Sequence, residues 1–249
     1  MPPAMSSLKR QILLAQAIGR IPKFSKGAEQ DMALAKALGS LMDQIHTENL
    51  SLSDLPHIVD REAFAEHWQV TVTFLEILSD KWPDILAEQG LIDAADRRNR
   101  LINALNHYWQ EHPPAYPVIA AGSTGSIHAT AALLKTIAHL PKGAVILPAL
   151  DQNMSKEAWA EIEEGHPQAT LKQLIGFLGC TREDVKDWPL MNGYTAQAQA
   201  REKLISQVMT PPEKTDDWQK SHLSESDKKN LLQTLEDIKR YDFATPQEE

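Results

Sequence analysis

The spacing of apolar residues predicts that the first 115 residues are helical. Between residues 28 and 46, apolar side chains recur at the i, i+3, i+4 spacing of an amphipathic helix. Comparable stripes predict further helices at residues 7–19, 61–80 and 93–111. Ser6 or Ser7 can cap the first of these, and Asp93 precedes the last as its N-cap. We therefore expect a helical domain over residues 1–115.

The pattern changes at Pro113-Pro114, where a second region begins. Residues 117–121 and 144–148 are continuous apolar runs, and a helical pattern lies between them at 129–139. This order is typical of a right-handed βαβ unit. Because both runs are apolar without alternation, we expect a parallel sheet that is covered on both faces.

The remaining sequence predicts helices and one further strand. Helical patterns follow at residues 156–163, 168–178, 196–209 and 223–235, and an alternating segment at 237–243 could form a strand. We predict a partial α/β domain over residues 116–210, then a linker, helix and terminal strand over 211–249. The fold class is mainly α with a partial α/β unit. Two or three strands are fewer than the usual sheet of five or six, so we expect the chain to be part of something larger.

Composition narrows the classes of function. The 249 residues include 34 acids and 25 lysines and arginines, which gives a net charge of −9. This balance argues against binding nucleic acid through bulk charge, although a local basic face is compatible with it. The single cysteine, Cys180, excludes an internal disulfide or a multi-cysteine metal site. No secretory signal is evident, and no apolar run reaches the roughly 18 residues of a membrane span. We expect a soluble, cytoplasmic protein with no membrane partner.

The loop after the first predicted strand is a candidate binding site. Small residues between a parallel strand and a helix can offer backbone N–H groups to a phosphate. The loop lacks the lysine of a phosphate-binding loop and the three glycines of a dinucleotide motif. Two uses remain, a structural turn, which we favour, and contact with an anion or a nucleic-acid backbone. The residues concerned are Gly122, Ser123, Thr124, Gly125 and Ser126.

Catalytic groups are not evident in the sequence. A nucleotide hydrolase places acids at the ends of core strands to hold Mg²⁺, but the first predicted strand ends in Ala120-Ala121-Gly122. Asp151 follows the second strand, where a turn or a helix cap is its more common role. We interpret His166 as a capping residue and Cys180 as a packing thiol. We assign no catalytic and no metal-binding residue.

Three arginines form the densest positive charge in this acidic chain. Arg97, Arg98 and Arg100 lie in the predicted helix that follows Asp93. On a helix Arg97 and Arg100 share a face, and Arg98 points elsewhere. Guanidinium groups bind phosphate in a bidentate manner, so we name these three as candidate DNA-binding residues. Salt bridges to nearby acids are the alternative.

The block PVIAAGSTGSI at residues 117–127, continued by Ala129-Thr130-Ala131, resembles the signature of a known family. It is similar to alphaproteobacterial-type AddB, the second subunit of the AddAB helicase–nuclease of double-strand break repair. Two positions depart from the family pattern: His128 stands where proline is usual, and Ala169 where an aromatic residue is usual. Further segments match in order and spacing, at residues 91–93, 97–101, 143–151, 166–172 and 246–249.

The resemblance implies a place in the N-terminal, helicase-like half of such a subunit. Residues 1–115 would be the insertion on its first motor-like domain, and the βαβ unit would be the later strands of that RecA-like, superfamily-1 domain. The implied partners are DNA and an AddA-like helicase–nuclease subunit. The family complex uses ATP, Mg²⁺ and an iron–sulfur cluster, all outside this segment, so we expect no cofactor in this chain.

Three hypotheses of function follow. The first is a non-catalytic scaffold and DNA-guiding segment, because Gly122-Ser123 stand where the resemblance implies the acidic pair of an active motor. The second is a small self-standing α/β enzyme that binds a phosphorylated ligand at residues 122–126. The third is a helical interaction module with no nucleic-acid contact.

Overall fold

The computed structural model describes residues 1–21, 25, 27–50, 81–187 and 196–214, together with 229 and 232. This part of the chain is mainly helical and contains a small parallel sheet of two strands. The predicted helix 61–80 and strand 237–243 lie outside the described residues, as does helix 223–235 except for two helical residues. The chain divides into two units, one of residues 1–121 with 125–146 and one of 122–124 with 147–249. The predicted domain boundaries at 115 and 210 stay a prediction.

The first unit begins with two long helices that pack against each other. Helix α1 covers Ser7–Gly19, and the Oγ of its N-cap Ser6 accepts a hydrogen bond from the Lys9 amide at 3.3 Å. Helix α2 covers Ala28–Thr47, and its N-cap Gly27 has a φ of 125°, in the region that favours glycine. Residues 81–88 are also helical. Apolar side chains from these elements form one core: Met5, Leu14, Ile18, Ala35, Leu38, Met42 and Trp82.

Helix α3 covers Ala94–Glu111 and has the predicted N-cap, Asp93. The Asp93 side chain makes no capping hydrogen bond, because its carboxylate is engaged by side chains of the core instead. The backbone oxygen of Asp93 still accepts the Arg97 amide at 2.8 Å, which starts the helix. The position of the cap was therefore predictable, and the use of its carboxylate was not.

The predicted βαβ unit is present. Strand β1 (Val118–Ala121), helix α4 (His128–His139) and strand β2 (Gly143–Ile146) follow in order, and the strands pair in parallel. Val118 pairs with Gly143 and Ala121 with Ile146. Helix α4 contacts both strands. A Cβ at Gly143 would overlap the carbonyl oxygen of Ile137, so only glycine fits where β2 leaves the end of α4.

The expectation that both faces of this sheet are covered is wrong for the described residues. Side chains along β1 alternate between partly buried and exposed positions, and β2 has one exposed position, Ala144. Ile119 is 59% exposed, and Ala121 and Ala144 are exposed beside it. A continuous apolar run gives a strand apolar side chains on both faces, so both faces could be buried. In the described part of the chain, α4 packs on one face of this sheet.

The second unit contains short helices around a small core. Helices α5 (Lys156–Ala160), α6 (Ala169–Leu178) and α7 (Ala196–Val208) are joined by segments that include a 3₁₀ turn at Arg182–Asp184. Helix α5 ends before the predicted residue 163, because Lys172 Nζ binds the carbonyls of Ala160 at 2.7 Å and Ile162 at 3.1 Å. The small core joins α5 to the start of α6: Met154, Ala158, Ile162 and Ala169.

Candidate functional site

The loop at residues 122–126 is a turn that depends on glycine. Gly122 and Gly125 have φ values of 78° and 66°, which other residues adopt only with strain. The loop leads into α4, whose N-cap Ile127 supplies no side-chain hydrogen bond to the first turn. This geometry suits the interpretation as a structural turn. Contact with an anion through Gly122, Ser123, Thr124, Gly125 or Ser126 stays a prediction.

Asp151, which follows β2, is held as a turn residue. Its Oδ1 accepts the amides of Asn153 at 2.9 Å and Met154 at 3.0 Å. The Asp151 amide donates to Gln168 Oε1 at 3.1 Å, and Arg182 Nη1 donates to its carbonyl oxygen at 3.2 Å. The carboxylate is therefore occupied by its own turn, and the interpretation as a turn residue is confirmed.

His166 lies at the entrance to α6, as expected, but the N-cap of this helix is Gln168. His166 Nδ1 accepts the amide of Gln168 at 3.0 Å, so the ring proton lies on Nε2 and is donated to the carbonyl oxygen of Met209 at 2.6 Å. One imidazole thus ties the start of α6 to the residue that follows α7. Both nitrogens are engaged in structure.

Cys180 is a packing thiol rather than a nucleophile. The side chain is half-buried, and Sγ donates to the carbonyl oxygen of Ile175 at 3.5 Å. Burial raises the pKa of the Cys180 thiol, and the nearby negative charge of Asp184 raises it further. A raised pKa lowers the fraction of reactive thiolate, which agrees with the interpretation from sequence.

The three candidate arginines diverge from one another and each has a partner within the chain. Arg100 binds Asp96 through two hydrogen bonds of 2.8 Å, and 61% of its side chain is exposed. Arg97 Nε donates to the carbonyl oxygen of Pro2 at 3.2 Å. Arg98 is half-buried and donates to Thr47 Oγ1 at the end of α2, at 3.4 Å. Arg97 and Arg98 therefore each contact a distant part of the first unit, and Arg100 presents the most accessible guanidinium of the three.

A charged cluster that the sequence pattern does not indicate lies in the core of the first unit. Asp93 is 2% exposed, and its Oδ2 accepts a hydrogen bond from Trp82 Nε1 at 2.8 Å. Its Oδ1 lies 3.0 Å from Arg10 Nε, but the N–H bond is not directed at it, so this contact is ionic without a hydrogen bond. Arg10 also donates to Asp43 Oδ1 at 2.7 Å, and His46 Nε2 lies 3.8 Å from Asp93 Oδ2.

The environment of this cluster keeps Asp93 ionised. Burial raises the pKa of the Asp93 carboxyl, but His46, the charge of Arg10 and the hydrogen bond from Trp82 together outweigh burial. The pKa of Asp93 consequently lies below its ordinary value. The five side chains of the cluster come from four parts of the sequence and meet at the helical core, so the cluster has a structural role.

Helix α3 also has an exposed apolar face that was not predicted from the sequence. Leu101, Leu105 and Tyr108 are 45%, 38% and 58% exposed, and they recur at i, i+4, i+7 along the helix. The Tyr108 ring stacks on His112 with centroids 4.9 Å apart. This spacing was visible in the sequence, but a single stripe is normally assigned to the core.

Across 1–21, 25, 27–50, 81–187 and 196–214, no three or more His, Cys, Asp or Glu residues are grouped so that they could hold a metal ion. None of the helices in the described part has the length and apolar character needed to cross a membrane. Comparisons with family models, curated proteins and solved structures found no match for this chain.

Proposed function

We propose that this chain is a non-catalytic scaffold and DNA-guiding segment of an AddB-like subunit, acting with an AddA-like helicase–nuclease in double-strand break repair. The observation that carries the proposal is the open face of the β1–β2 sheet. A two-stranded sheet is marginal on its own, and apolar side chains left in water gain stability when a neighbour covers them. The sheet is therefore suited to completion by another part of a larger assembly.

The free energy gained by covering the exposed face of the sheet depends on the apolar side chains that lie there. Ile119 is 59% exposed at the middle of β1, with Ala121 and Ala144 on the same side. Burying one isoleucine side chain is worth about 1.5–3 kcal/mol. Covering this face would thus contribute to the free energy of binding a partner. The opposite face of the sheet packs against α4 and stabilises the first unit.

The turn after β1 supports a role without catalysis. The resemblance implies a superfamily-1 motor fold, in which active helicases carry an acidic pair at this turn, where this chain has Gly122 and Ser123. Asp151, the acid after β2, accepts hydrogen bonds from two backbone amides of its own turn through Oδ1. In a motor domain, carboxylates at such turns bind a magnesium–nucleotide complex. Here the turn after β1 has Gly122 and Ser123 in their place, and Asp151 uses its carboxylate in its own turn.

The DNA-guiding part of the proposal depends on α3. Arg100 is exposed and its partner Asp96 is one turn away on the same helix. Exposed pairs of this kind contribute little to stability, so a phosphate can compete for the guanidinium at small cost. Arg97 lies one turn before Arg100 and can add a second contact.

Co-purification tests the scaffold role. We expect Ile119→Glu to abolish or strongly reduce co-purification of the chain with an AddA-like subunit, because it places a charge on the open sheet face. Ile205→Glu is the matched control, since Ile205 is also 59% exposed but lies on α7. Equal recovery of both variants would refute the sheet as the contact surface.

Salt dependence of DNA binding tests the guiding role in the same two-subunit complex. Arg97→Ala with Arg100→Ala should weaken binding and make the slope of log K against log salt shallower by about one to two units. Lys36→Ala with Lys186→Ala, two exposed cations elsewhere, is the control. An unchanged slope would assign the arginines to structure alone. A melting temperature raised by a nucleotide or sugar phosphate would favour the small-enzyme hypothesis instead.

A further inference from the structure

Residues 2–5 form an extended segment that lies against the start of α3. Ala4 pairs with Ile92 as an isolated parallel bridge. The Met5 amide donates to the Ile92 oxygen at 2.9 Å, and the Ile92 amide donates to the Pro3 oxygen at 3.1 Å. Because Met5 and Ile92 are also buried, at 4% and 5% exposure, the segment is firmly attached at its Met5 end. We call residues 2–5 the strap.

The other end of the strap has a restricted backbone. Pro2 and Pro3 fix their own φ angles, and Pro3 also restricts the ψ angle of Pro2. A proline has no N–H, so both residues offer only carbonyl oxygens to the groups around them. The Pro2 carbonyl therefore has few directions open to it, although the residue is exposed.

The Pro2 carbonyl is the partner of Arg97. Arg97 Nε donates to the Pro2 oxygen at 3.2 Å. A guanidinium has five N–H groups in one plane, and this contact uses the single one at its side. Among the described residues, Arg97 makes no other side-chain hydrogen bond, so its two Nη groups remain for a ligand.

The neighbouring arginines are held in different ways. Arg98 is turned to the end of α2, where it donates to Thr47. Arg100 uses both Nε and Nη2 on the Asp96 carboxylate, so a phosphate has to displace a charged partner there. Arg97 is bound to a neutral carbonyl through one N–H. It can therefore bind a phosphate through Nη while its partner stays in place.

We propose that the strap positions Arg97 for a phosphate of DNA, with Pro2 and Pro3 as the positioning residues. The inference rests on the proposed DNA-guiding function and adds to it the element that directs one guanidinium. An arginine side chain loses rotamer freedom when it binds a ligand, and a contact that restricts it beforehand lowers that loss. The Pro2 carbonyl supplies such a contact from outside the helix.

Loosening the strap tests this proposal with a fluorescent DNA duplex and the two-subunit complex. Pro2→Gly with Pro3→Gly keeps the carbonyls of the strap but gives its backbone more freedom. We expect DNA affinity to fall about twofold to fivefold, with an unchanged slope of log K against log salt because no charge is lost. In an Arg97→Ala background the same two changes should alter affinity by less than about 1.5-fold, since the group that they position is gone.

Matched variants complete the test. Pro113→Gly with Pro114→Gly makes the same chemical change just beyond the other end of α3 and should leave DNA affinity unchanged. Arg97→Lys keeps the charge but lacks the planar group that the strap directs. We expect it to lose about as much affinity as the loosened strap, with the same salt slope as wild type.

Three results would overturn the proposal. Equal or higher affinity after Pro2→Gly with Pro3→Gly would show that the strap is neutral or blocks Arg97. A loss of the same size in the Arg97→Ala background would assign the strap to stability alone. Both results would leave the proposed DNA-guiding function intact. Absence of DNA binding by the wild-type complex would refute that function together with the role of the strap.

Discussion

The helical core and the two-stranded sheet of the first unit treat their apolar residues in opposite ways. In the core, Leu14 and Ile18 are fully buried and Trp82 is 1% exposed. In the sheet, Ile119 is 59% exposed although the strand around it is just as apolar. The apolar side chains of this unit therefore fall into two groups. One part stabilises the unit itself, and the other is available to a neighbour.

Truncation in the core should give the largest effect. Leu14→Ala removes a fully buried side chain and should lower the free energy of unfolding by about 2–5 kcal/mol, because lost burial and a new cavity add together. Urea denaturation followed by circular dichroism measures this. A loss below about 1 kcal/mol would mean that the core is loosely packed and that Leu14 contributes little more to stability than an exposed residue of the sheet.

The buried ion cluster should give the next effect, and it should depend on pH. Asp93→Asn leaves Arg10 with a weakened partner in the core and should cost about 1–3 kcal/mol at neutral pH. Because the pKa of Asp93 is lower in the folded chain, its contribution is present above the ordinary pKa and is lost as the pH falls through the folded value. The difference from wild type should therefore shrink below about pH 4.

Asp43→Asn is the control for the cluster. Asp43 also pairs with Arg10, but 49% of its side chain is exposed, so the loss should stay within about 1 kcal/mol. Urea midpoints measured between acidic and neutral pH separate the two variants. Equal losses at all pH values would show that Asp93 acts through packing and not through its charge.

Substitution at the start of β2 should have a comparable or smaller effect. Gly143→Ala places a methyl group against the Ile137 carbonyl, and the backbone must shift to relieve the overlap. We expect a loss of about 1–3 kcal/mol, the usual cost of overpacking. Gly165→Ala, where a Cβ meets nothing within 4 Å, is the control. Equal stability of the two variants would show that the backbone between α4 and β2 can shift to accommodate the methyl group without loss of stability.

The smallest effect is expected on the open face of the sheet. Ile119→Ser should change the free energy of unfolding by no more than about 0.5 kcal/mol, because the side chain is already in water. Thermal and urea unfolding of this variant complete the comparison with Leu14→Ala. A large loss would mean that Ile119 belongs to the core of the isolated chain.

Local structure was largely predictable, because capping and periodicity act over a few residues. Ser6 caps α1, Asp93 precedes α3, and the strands lie within a residue or two of the predicted runs. Position 163 was assigned to α5 wrongly, since the helix ends where a lysine from α6 binds its carbonyls. Such a contact joins distant residues and leaves no local pattern.

The parts of the candidate site that depend on three dimensions were not predictable. The sequence indicated a basic run, but the partners of Arg97 and Arg98 lie 95 and 51 residues away. Likewise, nothing near Asp93 in the sequence indicates that its carboxylate meets Arg10 and Trp82 instead of the helix start. A continuous apolar strand is compatible with one covered face or two, so only the structure reveals that Ile119 is open.

The solvent accessibility of residue 119 tests the proposal that a partner covers the open face of the sheet. Cys180 is the single cysteine, so Ile119→Cys in a Cys180→Ala background carries one thiol to label. We expect rapid labelling in the isolated chain and strong protection when the AddA-like subunit is added. Slow labelling in the isolated chain, or the same rate with and without the subunit, would contradict it.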